Sequence, residues 1–206
     1  MKKFIRILLV AAALFVSGAA FSEPMEGRDY TLLNPPQPTS TNKIEVMEFF
    51  FYGCPHCFHL HPLLDNWEKS RPKDVEVVYV PTVFRESWEP MAYTFYALES
   101  MGMEKKLRDP LYRAWNEDKI DINDKAKVSD FVGKNGGDQA KFSAAYSSFT
   151  VQSKVTRAMQ MIRSYGINGT PSLVVDGKYL ITGLQPEDTV RALKDVIEMA
   201  RKEHKQ

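Results

Sequence analysis

The sequence predicts an α/β fold interrupted by an all-helical block. Three observations carry that reading. Two strongly apolar runs, residues 44–52 and 75–80, flank a stretch with helical periodicity. Residues from about 88 to 165 show helical patterns and no strand signal. An Asp176-Gly177 turn then joins two short strands ahead of a last amphipathic stretch. A helix crossing between two neighbouring strands makes them parallel, which places the chain among α/β sheets.

The first segment reads as an address. Lys2, Lys3 and Arg6 precede the short apolar stretch 7–16, and Ser17, Gly18, Ala19 and Ala20 follow. This is the pattern of a secretory leader, and the apolar stretch is too short to span a bilayer comfortably. Ala20-Phe21-Ser22 offers small residues on both sides of Phe21, so cleavage is expected after Ser22, with Ala20 the alternative.

A short strand is expected at 30–33, followed by the Pro-rich loop 34–42, NPPQPTSTN. The run IEVMEFFFY, 44–52, is apolar on both alternating faces and suits a strand buried on both sides. A helix then begins with Cys54 at the N-cap and Pro55 at the favoured first position. Cys57, Leu60, Leu64 and Trp67 form its apolar face, and Pro62 is expected to kink it. VEVVYV, 75–80, is a second buried strand, ended by Pro81. The helical block ends its first helix at Gly102, a good C-cap. Strands at 172–175 and 178–182 flank the Asp-Gly turn. The final helix has Pro186 at its first position, Glu187 and Asp188 in its first turn, and a stripe of Val190, Leu193, Ile197 and Ala200.

Composition narrows the function. The chain has 206 residues, 44% apolar and 26% charged, which is ordinary globular usage. Lys and Arg number 27 against 26 Asp and Glu, so no basic excess points to a nucleic-acid partner. Without residues 1–22 the balance is 24 basic to 26 acidic, net −2. Two cysteines cannot make a disulfide scaffold, but an exported protein meets an oxidising compartment, where two nearby cysteines can pair.

Those cysteines form Cys54-Pro55-His56-Cys57, reached directly from a buried strand and opening a helix. Four-ligand zinc sites usually pair two such half-sites, and no second pair exists here. The helix N-terminus carries unpaired N–H groups and partial positive charge. A Cys54 thiolate gains from the amides of His56 and Cys57 far more than a thiol does, so the Cys54 pKa is expected to be depressed. A protonated His56 would add to this. Cys57 lies one turn in and is expected to be the resolving thiol. Stabilising the Cys54 thiolate stabilises the dithiol and makes the disulfide more oxidising. A static CxxC crosslink would close so short a loop that it would stabilise little.

Other residues stand near this pair. Glu48 shares a strand face with Ile44, Val46 and Phe50. It is read either as a buried proton relay for Cys57 or as an edge carboxylate reaching water. His59 and His61 follow the motif, and His61 is four residues from Cys57, within reach of a shared metal; a surface or groove position is the preferred reading. Phe84, Trp88, Met91 and Met159 could line a peptide groove, although core positions suit most of them better. Asn168-Gly169-Thr170 is formally a glycosylation sequon and is read as chance.

With EFFFYGCPHC, the long helical block and GINGTPSLVVDGKY on one exported chain, the sequence resembles the thioredoxin superfamily. Within it, CPHC and the insertion resemble the DsbA-type family of exported dithiol oxidases over essentially the whole mature chain. The resemblance implies a thioredoxin-like domain of residues 23–84 plus 166–206 with a helical insertion at 85–165. It implies a redox-active Cys54–Cys57 disulfide, tuned by Pro55, His56 and Glu48. Thr170-Pro171 would be a cis-proline loop that faces the disulfide and pairs with extended substrate. The implied activity is oxidation of reduced exported proteins in the periplasm by a monomer. It would need no metal or organic cofactor, and a DsbB-like, quinone-linked membrane protein would reoxidise it. Two positions depart from the pattern: His61 stands where some members have an acidic residue, and Tyr79 where a Lys can occur. Other readings are a periplasmic reductase or isomerase, a metal-binding protein using Cys54, Cys57 and His61, and a binding-only module. Isomerases of this superfamily usually carry a dimerisation domain, and no such segment is seen.

Overall fold

A computed structural model describes residues 23–204; the expected leader at 1–22 lies outside the described residues. The chain runs through β1 (Thr31–Leu32), β2 (Ile44–Phe50), α1 (Pro55–Lys69) and β3 (Val75–Pro81). A single 3-10 turn (Glu86–Trp88) leads into α2 (Glu89–Ser100), α3 (Glu104–Asn116), α4 (Lys125–Lys134), α5 (Gln139–Tyr146) and α6 (Phe149–Ser164). It returns to β4 (Ser172–Val175), β5 (Tyr179–Thr182) and α7 (Pro186–Glu203). No helix among the described residues is long and apolar enough to cross a membrane.

The sheet order is β1-β5-β4-β2-β3. β2 is parallel to β3, as the crossover helix requires, and antiparallel to β4. All seven β2 residues are buried, and both faces are largely apolar, with Glu45 on one and Glu48 on the other. Ile44 and Val46 pack with α1 and α7; Met47 and Phe49 pack into a second core shared with the helical block. Phe49 and Phe50 have at most 1% of their surface exposed. Burial of each contributes about 1.5–3 kcal/mol.

Local chemistry sets the boundaries. Asp176 (φ 55°) and Gly177 (φ 63°) both adopt the left-handed conformation that a two-residue hairpin turn demands. Asp124 and Asp138 cap α4 and α5, and Ser148 caps α6 through the Val151 amide. α1 runs unbroken through Pro62. In α7 the buried stripe is rotated from the expected one: Thr189, Ala192 and Val196 join Leu193, Ile197 and Ala200, while Val190 is only half-buried. Val190 lies at the margin of this face and packs partly buried against the same core.

Candidate active site

Cys54 and Cys57 are placed by the junction of β2 with α1. β2 delivers the chain to the end of the sheet, Phe51 and Tyr52 stay buried, and Cys54 becomes the N-cap of α1 with Pro55 following it. The Cys54 amide donates to the Phe51 carbonyl at 3.0 Å, closing the turn. Gly53 is required there, since a Cβ would lie 2.5 Å from the Phe51 ring. Both cysteines are free thiols; Cys54 is half-exposed and Cys57 is buried with no exposed surface.

The two thiols differ sharply in acidity. Cys54 is pulled down from 9.0 to about 5. The neighbouring Cys57 thiol contributes most, burial opposes it, and the Thr170 side chain and the amides of Cys57 and His56 add to the lowering. The His56 contribution therefore comes through its backbone; its side chain is exposed. Cys57 is pushed well above 9.0, by burial first, then by its hydrogen bond to Cys54 and the negative charges of Cys54 and Glu48. As a thiol, Cys54 Sγ donates to the Thr170 carbonyl at 3.3 Å. The Thr170–Pro171 bond is cis, and the loop before β4 lies against Cys54. Pro55 is exposed, and Thr170 and Pro171 are half-buried.

Glu48 is not at an edge. β2 is second from one side of the sheet, and Glu48 has 3% of its surface exposed. Its Oε1 has no hydrogen-bond partner among the described residues, and burial raises its pKa from 4.5 to about 7, against the opposing pull of Arg108. The reading of Glu48 as a carboxylate reaching water is thereby overturned.

His61 is not a surface residue. It is buried, its ring stacks on Tyr112 with centroids 4.9 Å apart, and its Nε2 lies 3.9 Å from Asp109 Oδ1. Burial lowers its pKa. Among the described residues no group of three or more His, Cys, Asp or Glu is placed to hold a metal ion. His59 is exposed.

The groove residues divide. Trp88 stacks on Phe51 at 3.6 Å between centroids and 4° between planes. Together with Gly53, Arg85 and Trp115 they line a cleft of about 380 Å³ beside Cys54. Phe84 is 40% exposed next to Trp88. Met91 belongs to the core, and Met159 packs half-buried against it.

Three charged residues absent from the sequence reading complete the site. Arg108 and Glu104 of α3 are buried, and Glu68 of α1 joins them. Their signal was present: Glu104, Leu107, Arg108, Leu111 and Tyr112 recur at helical spacing, so two charges sit within an apolar stripe.

Comparison with known proteins gives concordant matches. Residues 45–193 match the family described as DSBA-like thioredoxin domain. The thiol:disulfide interchange protein DsbA of Burkholderia cepacia is 34% identical over 183 residues, covering 87% of this chain and 86% of that protein. The Pseudomonas aeruginosa protein of the same name is 32% identical, covering 94% of each chain. The crystal structure of oxidoreductase DsbA from Xylella fastidiosa superposes with a TM-score of 0.83 at 30% identity, over 88% of this chain and all of that one.

Proposed function

The chain belongs to the DSBA-like thioredoxin family, and on that premise we propose that it is a dithiol oxidase working through Cys54 and Cys57. It is a thiol:disulfide oxidoreductase. The observation that carries the oxidase direction is the asymmetry of the pair: an accessible, acidic Cys54 beside a buried, weakly acidic Cys57. A stable Cys54 thiolate favours the reduced protein, so its disulfide gives up oxidising equivalents readily. Members of this family are known examples of such a thiol, and the sign reached here agrees with them.

In the reaction a substrate thiolate attacks the Cys54 sulfur. The Cys54–Cys57 bond breaks, a mixed disulfide forms, and Cys57 leaves as a thiolate that takes up a proton. A second substrate thiolate attacks the substrate sulfur of the mixed disulfide. The substrate leaves oxidised by two electrons, and Cys54 departs as its stabilised thiolate. Glu48 is assigned the proton exchange with Cys57, supported by its burial and by its effect on that thiol. Pro55 and His56 shape the N-cap. Thr170 and Pro171 hold the loop over Cys54, where an extended substrate backbone would pair.

The substrates are reduced exported proteins, and the compartment is the periplasm, reached with a leader cleaved after Ser22. Reoxidation falls to a DsbB-like, quinone-linked membrane protein, and the enzyme acts as a monomer. Residues 23–84 plus 166–206 form the thioredoxin-like domain and 85–165 the insertion. The test is stoichiometric oxidation of a reduced, unfolded two-cysteine substrate. The disulfide form is expected to oxidise it and Cys54→Ser to be inert; Cys57→Ser loaded beforehand with glutathione on Cys54 is expected to exchange, releasing glutathione and holding the substrate as a mixed disulfide. Undiminished oxidation by Cys54→Ser would overturn the assignment.

A further inference from the structure

Glu48 pairs with Tyr79 across the parallel β2–β3 ladder. Paired residues of adjacent strands point to the same face, so β3 offers this buried carboxylate an aromatic neighbour and no cation. The cation comes instead from the helical block. The Arg108 guanidinium of α3 lies 3.4 Å from the centre of the Tyr79 ring, and the residue is 7% exposed. Its Nε donates to Glu104 Oε1 at 2.6 Å and its Nη2 to Glu104 Oε2 at 2.5 Å. Its Nη1 stands 4.0 Å from Glu68 Oε2, the same oxygen that accepts the Tyr79 hydroxyl at 2.7 Å. Glu104 takes the direct bonds, which leaves Glu48 in the field of Arg108 with its own Oε1 unpaired among the described residues.

We propose that Arg108 is a positioning residue of the redox centre: carried in by α3, it sets the protonation of Glu48 and through it the proton exchange of buried Cys57. This rests on the relay role of Glu48 given above. The groups that act on Glu48 come from every side. Arg108, Glu104 and Tyr112 belong to α3, Glu68 and Cys57 to α1, Tyr79 to β3, and Tyr52 follows β2; from β4 its cross-strand partner is the apolar Leu173. Within this set Arg108 is the cation, and it opposes the rise that burial imposes on the carboxyl. The helical block is thus part of the redox machinery as well as a cover for the sheet.

The step that reports on this is ring closure. In reduced protein at saturating oxidised glutathione, the Cys54 thiolate attacks one glutathione sulfur, the glutathione S–S bond breaks, one glutathione leaves as a thiolate, and a Cys54–glutathione mixed disulfide remains. Cys57 then gives its proton to the Glu48 carboxylate, its sulfur attacks the Cys54 sulfur, and the bond to glutathione breaks. Glutathione leaves as a thiolate and the protein disulfide remains. The rate of this unimolecular step is followed against pH by the fluorescence of Trp88 and Trp115. In Arg108→Gln the midpoint of the profile is expected to rise by about one pH unit or more. Arg108→Lys should restore it. Arg108→Gln/Glu104→Gln, which leaves no buried carboxylate stranded if the single variant folds poorly, should rise by less. Arg108→Gln placed on Glu48→Gln should change nothing further. A shift just as large on the Glu48→Gln background, or none while Glu48→Gln alone moves the profile, would overturn the proposal and leave the relay standing. No effect of Glu48→Gln alone would remove the relay and this inference together.

Discussion

Raising the pH from 5 to 9 should stabilise the reduced protein relative to its oxidised form. The perturbation acts on Cys54, whose pKa falls from 9.0 to about 5 on folding. A depressed acid contributes stability that is fully present above its unfolded pKa and is lost as pH falls through its folded pKa. The window is therefore pH 5–9, with the gain growing upward. At pH 7 the folded thiol is about two pH units above its midpoint while the unfolded thiol is still protonated, which gives about 2.7 kcal/mol. The sulfur is half-exposed, so solvent screening cuts this to about 1.4 kcal/mol, or about 30 mV in the two-electron couple. The oxidised form has no Cys54 thiolate and lacks this contribution. Urea unfolding of both forms at half-unit pH intervals measures the difference, and reduced Cys54→Ala should lack the upward contribution that the reduced parent shows. A difference between the two redox forms that stays constant from pH 5 to 9 would refute the reasoning.

Three further outcomes follow from particular contacts. Glu48 has its pKa raised to about 7 in a site where it is 3% exposed; folding stability should therefore fall as pH rises from 4.5 to 7. Glu48→Gln should be more stable than the parent at pH 8 by about 1–3 kcal/mol, with the gap closing near pH 4.5 in denaturant titrations. Thr170→Val removes a side chain that lowers the Cys54 pKa and should raise its midpoint by about half a unit to one unit, read from thiolate absorbance against pH; an unmoved midpoint would show that the amides suffice. Gly177 has φ +63°, and a Cβ there would lie 2.0 Å from the Gln37 carbonyl oxygen. Gly177→Ala should cost about 2–4 kcal/mol in thermal or urea unfolding, and a loss under 1 kcal/mol would mean that the 35–38 loop yields freely.

Most of the fold was legible because it is written in short-range patterns. The doubly apolar run of β2 marked a strand with covered faces, the Asp-Gly pair marked the hairpin, and Cys54-Pro55 and Pro186 marked helix starts. The redox pair was legible for the same reason, since strand, N-cap and helix are consecutive. The error at His61 and the split reading of Glu48 share one cause. Whether a polar side chain is covered depends on α3, some fifty to sixty residues away. Arg108 was missed although its helix shows two charges inside an apolar stripe; its stacking on Tyr79 and its reach to Glu68 join three segments that local spacing cannot connect. The cleft beside Cys54 depends likewise on Trp88 and Trp115, which arrive from separate helical elements.

The central claim is that this chain's disulfide is an oxidant. Equilibrating Cys54 and Cys57 against a graded series of glutathione buffers, with thiol trapping to count the reduced fraction, tests it most directly. The account predicts a pair that stays reduced until the buffer is strongly oxidising. A pair already oxidised in reducing buffer would be a stable disulfide, and the protein would then be a reductase supplied with electrons from elsewhere.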